Sequence, residues 1–192
     1  KGATIDLKKN TDSMQSGDNL NMKICDVCEK GQFQQTIGSA FCIPCFPGST
    51  QHESGQPECT KCSKGRFMPD AEGQEQTCKS CETGQYQDET GKPNCKSCES
   101  GRWSDEVALD SPFLCRECER GKFSTAKGAK AVSTCIACQP GTVGTRVGAT
   151  SPGETCEPCG KDQFRSDEDN YTVCRVCPIG WSSTNGSAKC VA

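Results

Sequence analysis

Nine C-x-x-C pairs follow one another along the 192-residue chain: Cys25/Cys28, Cys42/Cys45, Cys59/Cys62, Cys78/Cys81, Cys95/Cys98, Cys115/Cys118, Cys135/Cys138, Cys156/Cys159 and Cys174/Cys177. A lone Cys190 comes last, and the period runs from 16 to 21 residues. Three residues after the second cysteine of most pairs stands a glycine: Gly31, Gly48, Gly65, Gly84, Gly101, Gly121, Gly141 and Gly180. Only the eighth unit departs, with Asp162 at that place. Two residues further on an aromatic recurs in six units, as Phe33, Phe67, Tyr86, Trp103, Phe123 and Phe164. Self-similarity at a fixed period marks a repeat architecture, in which each unit stacks on its neighbours. The unit reads C-x-x-C-x-x-G-x-aromatic, then a polar stretch, then the next pair.

Composition says what must hold such a chain together. Only 25 residues are Val, Ile, Leu or Phe, about 13%, below the share at which chains tend to stay disordered. Ordering the backbone costs on the order of 1–2 kcal/mol per residue, and so little apolar surface cannot offset that through an ordinary core. Covalent or metal staples are therefore required. A net charge of −3 argues against a nucleic-acid surface, and no apolar run is long enough for a membrane span.

Within the unit, glycine at a fixed offset suggests a turn needing positive φ or a close backbone approach. The aromatic that follows is expected to start a short strand and to cover the disulfide with its ring, a miniature core per unit. The variable stretches, such as 69–73, 88–91, 126–128 and 146–153, read as exposed turns that absorb changes in length. No apolar stripe of helical period appears, so helix should be scarce. The expected fold is small and disulfide-rich, made of β-turns and short antiparallel strands, an elongated rod of about nine stacked repeats. Residues 1–24 stand apart as a cysteine-free arm or linker, and residues 25–192 hold the repeats, with units starting near 25, 42, 59, 78, 95, 115, 135, 156 and 174.

C-x-x-C pairs at this separation also fit four-cysteine zinc sites. Nine pairs cannot all be matched two by two, however, and the chain has a single histidine, His52. A redox C-x-x-C needs a strand-to-helix setting that the pattern lacks. Disulfides are the preferred reading, with no cofactor, and they place the chain outside the cell or at its surface. The sequons Asn170–Tyr171–Thr172 and Asn185–Gly186–Ser187 agree, making Asn170 and Asn185 candidate glycosylation sites. The chain begins at Lys1 rather than Met, which suggests a mature or fragmentary product.

Two connectivities fit. Joining the second cysteine of each pair to the first of the next gives Cys28–Cys42, Cys45–Cys59, Cys62–Cys78, Cys81–Cys95, Cys98–Cys115, Cys118–Cys135, Cys138–Cys156, Cys159–Cys174 and Cys177–Cys190, and leaves Cys25 unpaired or intermolecular. The rival links first to first and second to second, as in Cys25–Cys42 with Cys28–Cys45, and strands Cys177. The sequential ladder is preferred, and the rival stays open. Each closed loop of about 15 residues contributes on the order of 3 kcal/mol in the chain-entropy model.

Segments such as Cys115–Arg116–Glu117–Cys118–Glu119–Arg120–Gly121–Lys122–Phe123 and Cys95–Lys96–Ser97–Cys98–Glu99–Ser100–Gly101–Arg102–Trp103 resemble the ephrin-receptor-like cysteine-rich repeat of extracellular proteins. They are also similar to the first half-module of the tumour necrosis factor receptor cysteine-rich domains. The resemblance covers residues 25 to 190. It implies that the second cysteine of a pair bridges to the next cysteine downstream, in slender stacked modules. Thr50, Val143 and Ser182 stand where an aromatic is expected, so those units should pack more loosely or present another face. The receptors interleave a second module type that is absent here, so a cytokine-binding role does not carry over.

Catalysis finds no support. A nucleophile needs a base, and His52 lies in a turn-like Gln51–His52–Glu53. The acidic clusters Asp88–Glu89, Asp105–Glu106 and Asp167–Glu168–Asp169 lack the spacing of a calcium loop. In the arm, Thr4 to Lys8 alternates like a short strand, and Asn10 to Asn21 is turn-like. The arm is a disordered linker or the tail of a missing upstream domain, or it adds a strand to a neighbouring subunit. Together these features point to a non-catalytic extracellular structural protein. It would self-associate head to tail into a filament, fibre or coat, or decorate one. The alternative is the stalk or ligand-binding ectodomain of a receptor or adhesin, with another extracellular protein as partner.

Overall fold

The structure is a computed structural model and describes residues 3–5, 25–69 and 77–192. The described chain divides into two compact units. One takes in the residues through Ser80 together with Gln87–Cys95, the other Cys81–Tyr86 with Lys96–Ala192.

Both units are built from two-stranded antiparallel hairpins. In the first unit, β1 (Ala3–Ile5) pairs with β2 (Cys25–Val27), β3 (Gln32–Phe33) with β4 (Ile43–Pro44), β5 (Ser49–Thr50) with β6 (Thr60–Lys61), and β7 (Arg66–Phe67) with β8 (Lys79–Ser80). In the second unit, β9 (Gln85–Tyr86) pairs with β10 (Lys96–Ser97), β11 (Arg102–Trp103) with β12 (Arg116–Glu117), and β13 (Lys122–Phe123) with β14 (Ile136–Ala137). Next come β15 (Thr142–Gly144) with β16 (Cys156–Pro158), and β17 (Gln163–Phe164) with β18 (Arg175–Val176). From β3 onward each hairpin joins the two residues after the repeat glycine (Asp162 in the eighth unit) to residues inside the next C-x-x-C pair, and β15–β16 extends this by Gly144 and Cys156. Helix among the described residues is limited to three 3-10 turns, Pro112–Leu114, Val132–Thr134 and Pro152–Glu154.

The described N-terminal strand takes in Thr4 and Ile5 of the expected stretch, whose remainder, Asp6 to Lys8, lies outside the described residues. It runs from Ala3 to Ile5, and its edge is taken by Cys25–Val27 of the same chain. One edge of this strand is thus paired within the chain. The turn-like stretch from Asn10 to Asn21 lies outside the described residues.

Sulfur fills the interior. Cys28, Cys81 and Cys98 are fully buried, and Cys62, Cys118 and Cys159 nearly so. The aromatics are only half-buried. Tyr86 packs on Cys98, Cys115 and Leu109, so its ring leans on the bridge of the following module. One further expectation needs correction. The variable stretches are not wholly exposed: Ala149, within 146–153, is fully buried, and Leu109 and Ala129 are buried just outside the stretches named. Each sits beside the aromatic of the preceding module in a parallel bridge, Leu109 with Tyr86, Ala129 with Trp103 and Ala149 with Phe123. Of the residues that replace an aromatic, Thr50 is 4% exposed, Val143 is half-buried and Ser182 is exposed.

Candidate functional site

The bridges come first. Cys28–Cys42, Cys45–Cys59, Cys62–Cys78, Cys98–Cys115, Cys118–Cys135, Cys138–Cys156, Cys159–Cys174 and Cys177–Cys190 are disulfides with Cα separations of 5.5–5.9 Å. Cys81 and Cys95 are half-cystines as well. Those separations match unforced disulfide geometry. The short strands explain the pairing: each hairpin brings the cysteine before one strand beside the cysteine ahead of its partner.

Successive modules are joined by main-chain groups. In the first unit the Gly31 N–H donates to the Gln51 carbonyl (2.8 Å), and the Gly31 carbonyl accepts from the Cys45 N–H (2.9 Å). Gly48 repeats this with Met68 and Cys62, both at 2.8 Å. In the second unit Gly84 does the same with Ser104 and Cys98, and Gly101 with Ser124 and Cys118. A second turn residue completes the joint. The N–H of Gly55 reaches the Cys28 carbonyl, that of Gly91 Cys62, that of Gly128 Cys98 and that of Gly148 Cys118, all at 2.8 Å. Left-handed backbone at the repeat glycine aims its N–H and C=O at the next module. Asp162 adopts it at φ 59°, so the one departure from glycine keeps the conformation.

A site that the repeat pattern concealed lies three residues after each glycine. Gln34, Gln51, Met68, Gln87, Ser104, Ser124, Arg165 and Ser183 are all buried there. Burying a polar side chain is costly unless its hydrogen bonds are made. Gln51 donates from Nε2 to the Glu58 carbonyl (2.7 Å) and accepts from the Glu53 N–H at Oε1 (3.0 Å). Gln34 and Gln87 make the same clamp, to Phe41 and Thr36 and to Asn94 and Glu89. Ser104 and Ser124 reach only the N–H two residues on. Loop length goes with the side chain in these modules but not in the last, where Ser183 stands in a loop of 13 residues and donates to the Gln163 carbonyl. The Gln34 and Gln51 modules separate their cysteines by 14 residues, whereas the Ser104 and Ser124 modules separate them by 17. The Ser104 and Ser124 loops use the extra residues for a 3-10 turn and a buried Leu109 or Ala129. Polar identity in phase with the glycine was the available signal, masked because hydropathy assigns such residues to solvent.

Arg165 occupies this position in the unit that has Asp162. It is 0% exposed. Its guanidinium donates to the carbonyls of Thr142, Ser166, Cys138 (2.7 Å) and Gln139, and it lies 5.2 Å from the Tyr171 ring. A turn N–H serves the carbonyls of Cys28, Cys62, Cys81, Cys98, Cys118 and Cys159; at Cys138 a guanidinium does. A planar five-donor fork suits this where a lysine would not.

The remaining sequence candidates are dispersed. His52 is exposed. Asp105 and Glu106 pair with Arg116, which also lies 5.2 Å from the Trp103 ring. Asp169 accepts from the Ser166 N–H and hydroxyl and from Arg175, and these donors hold its carboxyl down at about 2. Thr150 donates from N–H and hydroxyl to Glu154, lowering that carboxyl too. Among the described residues no group of three or more His, Cys, Asp or Glu side chains could hold a metal. Nor is any helix among them long and apolar enough to cross a membrane. Asn170 is exposed, and its Oδ1 accepts from the Thr172 N–H and hydroxyl (2.9 and 2.8 Å). Asn185 is exposed too, but the Ser187 hydroxyl lies 3.1 Å from that of Thr184. The side chain of Cys25 lies outside the described residues.

Comparison of the chain with protein-family models and with curated proteins finds no match. Function is therefore read from the construction itself. Nine consecutive disulfides with little helix suit an oxidising compartment, and mark an extracellular protein of structural or ectodomain type.

Proposed function

We propose that the chain is a non-catalytic structural protein of the extracellular surface, a disulfide-laddered array that assembles into or decorates a filament, fibre or coat. The junction chemistry carries this reading. Modules meet through glycine and cysteine main-chain groups, as in Gly31 with Gln51 and Cys45. Such a joint asks for one glycine conformation and almost nothing of the exposed side chains. It can be repeated many times while the surface varies, as in other quasi-one-dimensional repeats. Kinship with the ephrin-receptor-like repeats belongs to the same proposal, supported by the C-x-x-C-x-x-G-x-aromatic unit. Electron microscopy of the protein isolated under oxidising conditions tests it. Concentration-dependent filaments or ordered lattices are expected, and monodisperse particles at every concentration overturn assembly.

One feature favours the second reading, a ligand-binding ectodomain. Phe33 and Phe46 meet edge to face at 6.4 Å beside an open cleft of about 280 Å³ that Glu58 and Lys61 also line. Phe46 is 66% exposed there. Persistent monodispersity together with a soluble partner that protects Phe46 from oxidative footprinting would shift the balance to that role.

A further inference from the structure

The register of the first hairpin says what Cys25 is for. Ala3 lies opposite Val27, Thr4 opposite Asp26 and Ile5 opposite Cys25. In the seventh module Thr142 lies opposite Pro158, Val143 opposite Glu157 and Gly144 opposite Cys156. The two frames are the same when counted from the first cysteine of the pair. Ala3 thus holds the place of Thr142, and Cys25 the place of Cys156. Cys156 is bridged to Cys138, four residues before Thr142. The same four-residue step leads from Cys28 to Gln32 and from Cys118 to Lys122 in two other bridged modules. The sequence agrees independently of the strands, because Gly2 precedes Ala3 as Gly141 precedes Thr142 and Gly31 precedes Gln32. The cysteines at Cys25's place in the later modules, Cys42, Cys59, Cys78, Cys95, Cys115, Cys135, Cys156, Cys174 and Cys190, are all half-cystines.

We infer that β1–β2 is the closing half of a further module, and that Cys25 is its bridging residue, set to receive a cysteine four residues ahead of Ala3. The partner is a cysteine at the place that Cys138 holds ahead of Thr142. Its bridge forms by thiol–disulfide exchange: one thiolate attacks oxidised glutathione, and the other displaces glutathione from the mixed disulfide. Two thiols are thereby oxidised and one glutathione disulfide is reduced to two thiols. The inference rests on register alone and stands whether or not the array forms filaments.

The test places a Cys–Ser extension directly before Lys1, which sets the new cysteine four residues ahead of Ala3. A Ser–Cys extension, with the cysteine one residue nearer, serves as the register control. Both chains are oxidised in a glutathione redox buffer and probed with iodoacetamide and non-reducing peptide mapping. In the Cys–Ser chain Cys25 is expected to become at least tenfold less reactive, in a monomer yielding a peptide that joins Cys25 to the new cysteine. In the Ser–Cys chain Cys25 is expected to stay reactive. Equal bridging in both chains reduces the effect to proximity and overturns the register assignment. A persistently reactive Cys25, or Cys25 linked to Cys25 of a second copy, overturns it as well. A C25S version of the Cys–Ser chain should retain the later bridges and leave the new cysteine free, which shows that loss of folding is not the cause of any negative result.

Discussion

Three residues past the repeat glycine, an amide or hydroxyl that hydropathy would leave in water instead closes a loop from inside. Gln51 ties the Glu53 N–H to the Glu58 carbonyl, and truncating it leaves that carbonyl unpaired. Gln51→Ala is expected to destabilise the oxidised protein by roughly 1–3 kcal/mol in urea unfolding, the cost of a buried unsatisfied group. Arg165 is more exacting, since four carbonyls and the Tyr171 ring converge on one guanidinium. Arg165→Lys keeps the charge but presents compact donors at a forked site, and should cost about 3 kcal/mol by the same measurement. Asp169 gives a pH signature. Its folded carboxyl titrates near 2, held down first by the Ser166 N–H, then by the Ser166 hydroxyl and Arg175. A depressed carboxylate stabilises above its unfolded value near 4, and that stabilisation drains away as pH falls toward 2. NMR titration should therefore show the Asp169 carboxyl with a midpoint near 2, and in hydrogen exchange the Ser166 amide losing protection between about pH 4 and 2. D169N should remove that pH dependence.

At the scale of the hairpin, glycine is required for two separable reasons. Gly141 has φ +81°, and a Cβ there would lie 2.0 Å from the Gly186 carbonyl oxygen. Gly180 has φ +86° but open space around its Cβ. Gly180→Ala should thus cost only the left-handed penalty, about 1–2 kcal/mol. Gly141→Ala must also push two main chains apart, so it should cost clearly more and expose the Cys159 and Gly186 amides to exchange. Equal costs for the two substitutions would show that the close approach does not matter. This contrast also marks what could be read in the chain beforehand. The glycine period, the two-residue strands and the scarcity of helix follow from spacing alone, because covalent geometry and φ preferences are local. The buried Gln34, Gln51 and Gln87 did not follow, since their partners lie seven residues on in loops of irregular length. Leu109, Ala129 and Ala149 were hidden for a related reason: their burial depends on the aromatic of another module.

For the molecule as a whole, cross-link and core are the same atoms. Nine of the thirteen buried apolar residues among those described are half-cystines: Cys28, Cys62, Cys81, Cys98, Cys115, Cys118, Cys135, Cys138 and Cys159. The other four are Met68, Leu109, Ala129 and Ala149. Reduction therefore removes the loop closures, worth about 3 kcal/mol each in the chain-entropy model, and the remaining apolar residues are too few to keep the chain compact. A chain held by zinc would behave oppositely, tolerating a thiol reductant because its ligands are thiolates, yet unfolding when metal is withdrawn. The two constructions separate in one set of melting curves. With excess EDTA the thermal midpoint should be unchanged, whereas with dithiothreitol at neutral pH folded signal and amide protection should vanish even at room temperature. Loss of structure in EDTA alone would sink the disulfide construction, and persistence of the fold after complete reduction would show that side chains other than sulfur supply the core.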